Sequence, residues 1–311
     1  MAPLQTLLQA TDFRSTFLAN LVPAVTAAFA VQLVFGIPAV IRHSDFFYDF
    51  SGGWTFLLTL TSSLFLPALR SNSRTIGADV SLDAWNWRQL AMSGGVLVYS
   101  VRLSSYLFIR VLKKGHDSRF DETKHKPRRF FIFWMLQAVW VLLCSAPVIA
   151  IDAVPLAAFG GIPDVTVSDV LGLGLFALGF AVEVTADHQK SVWYDEKSRK
   201  IHDELFITRG IWGRSRYPNY FGDITLWTGM AIAAAGVLAR EPIQVALGWG
   251  GPIGLLKAVL IPSVAPAFAA WALLRVSGVP LSEAKYDKLY GDREDYKQWR
   301  NNTPLLVPRI F

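Results

Sequence analysis

The chain has 311 residues, 52% of them hydrophobic and 17% charged, with 11 Trp, 21 Phe and a formal net charge of +6. At a mean hydropathy of +0.34 it is too apolar for an ordinary soluble domain. Its basic residues sit in loops beside apolar segments without any nucleic-acid motif, a lone Cys144 excludes an intrachain disulfide, and the five histidines lack metal-ligand spacing.

The N-terminal stretch MAPLQTLLQATDFRSTF lacks the basic region, short apolar core and small-residue site of a cleaved signal. The first apolar span is therefore expected to act as the insertion signal. A membrane span needs about 20 mostly apolar residues, and seven such segments follow: roughly 17–41, 53–69, 89–112, 130–151, 166–187, 221–239 and 257–276. No linker or low-complexity run divides them, so one all-α polytopic bundle is expected. Pro262 and Pro266 predict a kink in the seventh span, and the Gly- and Pro-rich stretch Glu241–Gly254 reads as a re-entrant or interfacial piece. Residues 113–129 carry Lys113, Lys114, Arg119, Lys124, Lys126, Arg128 and Arg129, whereas residues 152–165 carry no Lys or Arg. Since Lys and Arg resist translocation, the 113–129 loop, the 188–220 segment and the C-terminal tail are expected in the cytoplasm. The glycines of GLGLFALG, Gly172, Gly174 and Gly179, lie inside an apolar helix with no preceding strand. They predict close helix packing rather than a dinucleotide loop.

Ionisable groups at membrane depth are expensive and tend to face a cavity or each other, so their spacing is informative. On the third span Tyr99, Arg102, Tyr106 and Arg110 fall on one helical face, with Arg110 near enough to the basic loop to snorkel there. On the fifth, Glu183, Asp187 and Lys190 share a face. An internal ion-pair network and a cofactor-facing one would need the same residues. The segment WGRSRYPNYFGD places Arg214 and Arg216 before Pro218, with Asn219 and Asp223 four apart beyond it. Proline suits a first helical position, and a helix N-terminus attracts anions. Phosphate binding at this mouth is one reading, and contact with lipid headgroups is the other. Glu283, Tyr286 and Tyr290 repeat the helical spacing, and EDYKQWRNNTPLLVP after them has the pattern of an interfacial helix.

The segment EVTADHQKSVWYDEKSRKIHDELFITRGIWGRSRYPNYFGDITLWTGM, the later SGVPLSEAKYDKLYGDREDYKQWRNNTPLLVP, and upstream FFYDFSGGWTFL and RLSSYLFIRVLKKGHDSRFDE resemble the steroid 5-alpha-reductase-like membrane proteins, specifically the DUF1295 group. The resemblance spans about residues 43–309. It implies a first transmembrane span over 1–42 followed by a reductase-like membrane domain over 43–311, with NADPH bound on the cytosolic side. It also implies reduction of a carbon–carbon double bond in a steroid, sterol or other isoprenoid lipid. By the same resemblance, Asn219 and Asp223 match the residues that hold the nicotinamide end, while Arg216, Lys190 and Asp187 match the residues around them; Arg214, Arg216 and Lys190 are expected to meet the cofactor's phosphates. Tyr286 falls near a cofactor-contacting tyrosine. Tyr99 with Arg102 resembles a Tyr-x-x-Arg pair whose tyrosine polarises the substrate carbonyl, and Asp49 stands in for that tyrosine's acidic partner.

Two departures stand out: Tyr217 occupies the place of the group's usual His, and Asp223 that of a Glu found in many members. The isoprenylcysteine carboxyl methyltransferases share a similar R-H-P-x-Y-x-G motif and use S-adenosylmethionine, which makes methyl transfer the alternative chemistry. A lipid-binding relative without catalysis is the other alternative. The expected partners are the bilayer and a hydrophobic lipid, with no nucleic acid and no metal. The expected compartment is the endoplasmic reticulum of a eukaryote or the inner membrane of a bacterium.

Overall fold

The computed structural model describes residues 13–73, 82–115 and 119–309; most of the N-terminal stretch that lacks the features of a cleaved signal lies outside them. Every described regular element is helical. The long helices are α1 (Thr16–Ile41), α2 (Tyr48–Ser73), α3 (Trp87–Lys114), α4 (Pro127–Asp152), α5 (Val167–Ser198), α6 (Pro218–Leu238) and α7 (Gly251–Trp271). A π-turn at Ala272–Val276 leads from α7 into α8 (Val279–Tyr290) and α9 (Glu294–Asn302). Among the described residues seven helical segments are long and apolar enough to cross a membrane. The protein is a multi-pass membrane protein, and large aliphatic residues such as Val34, Val98, Val170 and Leu256 are accordingly left exposed on its helices.

The helices exceed their apolar cores. The second span begins at Tyr48 rather than near 53, because the mixed FYDFSGG turn is helical but scores poorly for hydropathy. The fifth runs 32 residues, about 48 Å against a hydrocarbon core of about 30 Å, so its polar end with Asp187 and Lys190 continues as the same rigid rod. The Glu241–Gly254 stretch is not one piece: it divides into a short helix, Glu241–Ala246, and the start of α7. The seventh helix runs on through Pro262 and Pro266, and its hydrogen-bond register changes only at the π-turn beyond them.

The chain divides into two compact units, residues 1–169 with 233–264, and residues 170–232 with 265–311. In the first, α1 packs on α2 and α4, and α2 packs on α3 and α4. A capping box of Asn86 and Gln89 starts α3 and Gly115, with φ 81°, ends it. The interior of this bundle is polar along one line. Ser51, Thr55, Thr59 and Ser63 of α2 are fully buried, and their spacing of four keeps them on one inward stripe. Gln32 of α1 donates to Thr55 Oγ1 (2.7 Å), Ser51 donates to Gln137 Oε1 of α4 (3.2 Å), and Asn20 of α1 donates to Ser63 Oγ (3.0 Å). Where lipid gives helices little hydrophobic reason to associate, each such bond is worth about 1 kcal/mol.

In the second unit α5 and α6 touch backbone to backbone. A Cβ on Gly179 would lie 2.5 Å from the Gly222 carbonyl oxygen, and one on Gly222 would lie 2.7 Å from the Glu183 nitrogen. Gly229 meets the Gly172 carbonyl in the same way, whereas Gly174 faces open space. Two of the three glycines in GLGLFALG thus serve close helix packing, as their setting predicts.

Candidate functional site

The second unit builds its polar site on the overhanging end of α5. Trp212 donates its indole N–H to the Ala186 carbonyl (2.9 Å) and lies under the Lys190 ammonium, 4.5 Å from the ring centre. Gln189 Oε1 accepts from the Ile211 N–H (3.0 Å), next to Gly210, whose φ of +57° and lack of a side chain let the loop turn there. The following residues are fixed from the other side by the C-terminal tail. Arg216 and Tyr217 donate backbone N–H groups to Pro304 and Leu305, Ser215 Oγ donates to the Leu306 carbonyl, and Arg309 donates to the Arg214 carbonyl. The RSRY loop is thereby held before α6 begins at Pro218.

Glu283 of α8 is the centre of charge here. Arg216 Nη1 reaches its Oε2 at 2.8 Å, Arg300 Nε of α9 reaches the same oxygen at 3.1 Å, and the Tyr217 hydroxyl donates to its Oε1 at 2.7 Å. Arg300 also binds Asp287 (2.7 Å), which accepts from Tyr296 (3.1 Å). Burial pushes the Tyr217 phenol far above its ordinary pKa, and the hydrogen bond to Glu283 and that carboxylate's charge push it further. Tyr217 is therefore a neutral donor at any physiological pH. Its ring stacks on Tyr220 with centroids 5.2 Å apart and planes nearly parallel. Where a histidine would be expected, the phenol supplies one O–H donor to a carboxylate without bringing a charge.

Asn219 and Asp223 lie four residues apart in the first two turns of α6, as the sequence predicts. The glycine contact sets Glu183 against the α6 turn between them. Asp223 accepts from the Trp227 indole (3.1 Å), and Asp187 is buried. Asn219 Oδ1 and Arg216 Nε are both buried with no hydrogen-bond partner, an arrangement that costs about 1–3 kcal/mol per group unless something else meets them. Lys190, Trp212, Arg216, Tyr217, Tyr286 and Trp299 are among the residues around a hollow of about 10 Å³, room for about one water. A wider cleft of about 320 Å³, bordered by His188, Gln189, Glu196 and Arg209, shares Ile207 with it. Arg214 is exposed on the loop.

The remaining candidates lie in the first unit. Tyr99 is 1% exposed, edge-on to Phe56 at 6.2 Å. Arg102 stacks over Tyr106 at 5.4 Å, on the predicted face but in a different unit from the other cofactor candidates. Asp49 does not partner Tyr99. Its carboxylate takes Arg119 at 2.8 Å and Arg110 at 3.7 Å, because Phe56, the α2 residue level with Tyr99, lies two turns, about 10 Å, further along the helix.

Glu283 and Arg300 are the members of this charged cluster that sequence reasoning leaves out of the candidate site. The only local signal is the Glu283–Tyr286–Tyr290 spacing, and an amphipathic interfacial helix carries the same pattern. No curated protein and no solved structure matches the chain. The sequence pattern of the family described as "Protein of unknown function (DUF1295)" matches residues 34–303, nearly the whole chain, and this membrane protein belongs to the DUF1295 family.

Proposed function

We propose that the protein is an NADPH-dependent membrane oxidoreductase that reduces a carbon–carbon double bond in a steroid, sterol or other isoprenoid lipid. The observation that carries this reading is the buried Asn219 Oδ1 without a donor at the start of α6, with Arg216 Nε likewise unmet nearby in sequence. A carboxamide N–H answers the first, and a phosphate or carbonyl oxygen answers the second. Arg214, Arg216 and Lys190 would meet phosphates, with Asn219 and Asp223 orienting the nicotinamide carboxamide. The inner hollow admits no more than a water, so this fit requires Tyr286 or Trp299 to swing aside. Bound NADPH would supply a hydride for the beta carbon of an enone. Tyr99 would hold a hydrogen bond to the substrate carbonyl oxygen as negative charge develops there. The cofactor side and the C-terminus would face the cytoplasm, in line with the basic loops.

The test is binding and turnover with the full chain purified in detergent. NADPH should bind and be oxidised with a member of an enone sterol panel. Asn219→Ala should abolish binding, whereas Tyr99→Phe should retain binding and slow turnover. A folded protein that ignores NADPH ends this reading, and saturable S-adenosylmethionine binding in its place would establish methyl transfer.

A further inference from the structure

One end of the first unit carries basic residues that the proposed reaction does not use. The last turns of α1 and the first turns of α4 meet there: Ala39 packs with Phe120, Phe130 and Trp134 in one buried cluster, and a Cβ on Gly36 would lie 2.9 Å from the Trp134 ring. His43, just beyond α1, donates its Nδ1–H to the Lys124 carbonyl (2.9 Å), and the Tyr48 hydroxyl donates to the Phe133 carbonyl (3.0 Å). Arg42 is thereby brought beside the basic segment 119–129.

The cations at this end divide into two sets. Arg119 and Arg110 are held by Asp49, and Lys124 by Asp121 (3.3 Å) and Asp45 (3.8 Å). Arg42, Lys126, Arg128 and Arg129 are exposed and, among the described residues, take part in no ion pair. Against these four stands one uncommitted exposed acid, Glu122, so the surface attracts an external anion. What lies beside the cations selects which anion. Arg129, Ile132, Phe133 and Leu136 are all exposed and, at i, i+3, i+4 and i+7, share one face of α4. On α1 the exposed Val34, Ile37 and Ile41 run along one face up to Arg42 in the same way. Two membrane helices thus carry lipid-facing apolar tracks that end on uncommitted cations. A dissolved anion engages the cations alone, whereas a phospholipid engages both.

We infer that this end of the first unit is a binding surface for anionic phospholipid, its headgroup phosphate held by Arg42, Lys126, Arg128 and Arg129 and its acyl chains lying along the exposed faces of α1 and α4. Thermal unfolding of the detergent-solubilised full chain with added phosphatidylglycerol, phosphatidylcholine or inorganic phosphate tests it. Phosphatidylglycerol should raise the midpoint by several degrees over phosphatidylcholine, and the rise should shrink at high salt, which screens exposed charges. The variant combining Lys126→Gln, Arg128→Gln and Arg129→Gln should need roughly tenfold more phosphatidylglycerol for the same rise. Combining Lys200→Gln, Lys285→Gln and Lys288→Gln, which removes as much exposed charge elsewhere, should preserve it. Equal midpoints in the two lipids, an equal rise from inorganic phosphate, or an equal response of the two triple variants would overturn the surface. If the first triple variant does not fold, Arg42→Gln and Arg129→Gln singly decide: each should reduce the rise, and two unchanged rises overturn it.

Discussion

The two units differ in where their densest polar networks lie, although the first also buries the Arg88–Asp169 ion pair. Through the middle of the first, Ser51, Thr55, Ser63, Asn20, Gln32 and Gln137 pass hydrogen bonds between helices without any charge. The second gathers charge at the ends of its helices, with Arg216, Arg300 and the Tyr217 hydroxyl converging on Glu283. Neutral groups can be buried in oil at small cost, whereas charges need partners and are kept near water. The first unit therefore has the character of a scaffold with a polar seam, and the second that of a surface whose charges are held in internal ion pairs.

The largest effect expected from breaking this contrast is at the helix contact beneath the charged cluster. Gly222→Leu forces a side chain into the α5 backbone and should destabilise the fold by about 3 kcal/mol, read as a lower unfolding midpoint and lost NADPH binding. Gly174→Leu, at the glycine facing open space, should leave both nearly unchanged. Next in size is the phenol. Tyr217→Phe removes the hydrogen bond to a charged Glu283 and should cost about 1.5–3 kcal/mol, whereas Tyr217→His, able to donate to the same carboxylate, should recover most of it. The pH dependence has a definite sign. Because the folded pKa of Tyr217 is raised, its contribution is complete below the unfolded value of about 10 and is lost as pH rises beyond it. Unfolding midpoints measured across that range should fall for the unsubstituted chain and fall less for Tyr217→Phe. The smallest effect belongs to the neutral seam: Thr55→Val, which removes the acceptor for Gln32, should cost about 1 kcal/mol and leave NADPH affinity unchanged. A large loss of affinity there would erase the distinction between the units.

The spans were legible because a stretch of oil-soluble side chains is a local property of the chain. So was the start of α6 at Pro218, where proline, Asn219 and Asp223 announce a helix entrance. The overhang of α5 was not, since a hydropathy window ends where the apolar residues end and not where the hydrogen-bond ladder does. Glu283 escaped for a different reason. Its partner Arg216 lies 67 residues away, and no periodicity encodes a pairing made by tertiary structure. The stripe on α2 was written in the sequence at intervals of four, but serines and threonines in a membrane helix are read as neutral filler unless their partners on other helices are known. Asp49 illustrates the converse: offered by a motif as the acidic partner of Tyr99, it pairs with Arg119 and Arg110, because a motif fixes a residue's type and not its height along the neighbouring helix.

The bonds from residues 304–309 to the RSRY loop have a consequence in time. Ser215 and its acceptor Leu306 are separated by 91 residues, so at about 5–20 residues per second the ribosome needs several seconds to deliver the tail after the loop has been made. During that interval the arginines must wait on an unlatched loop while α6 and α7 are already entering the bilayer. Assembly of the charged cluster is thus postponed to a late stage of biogenesis, after the helices that carry its first half have been made.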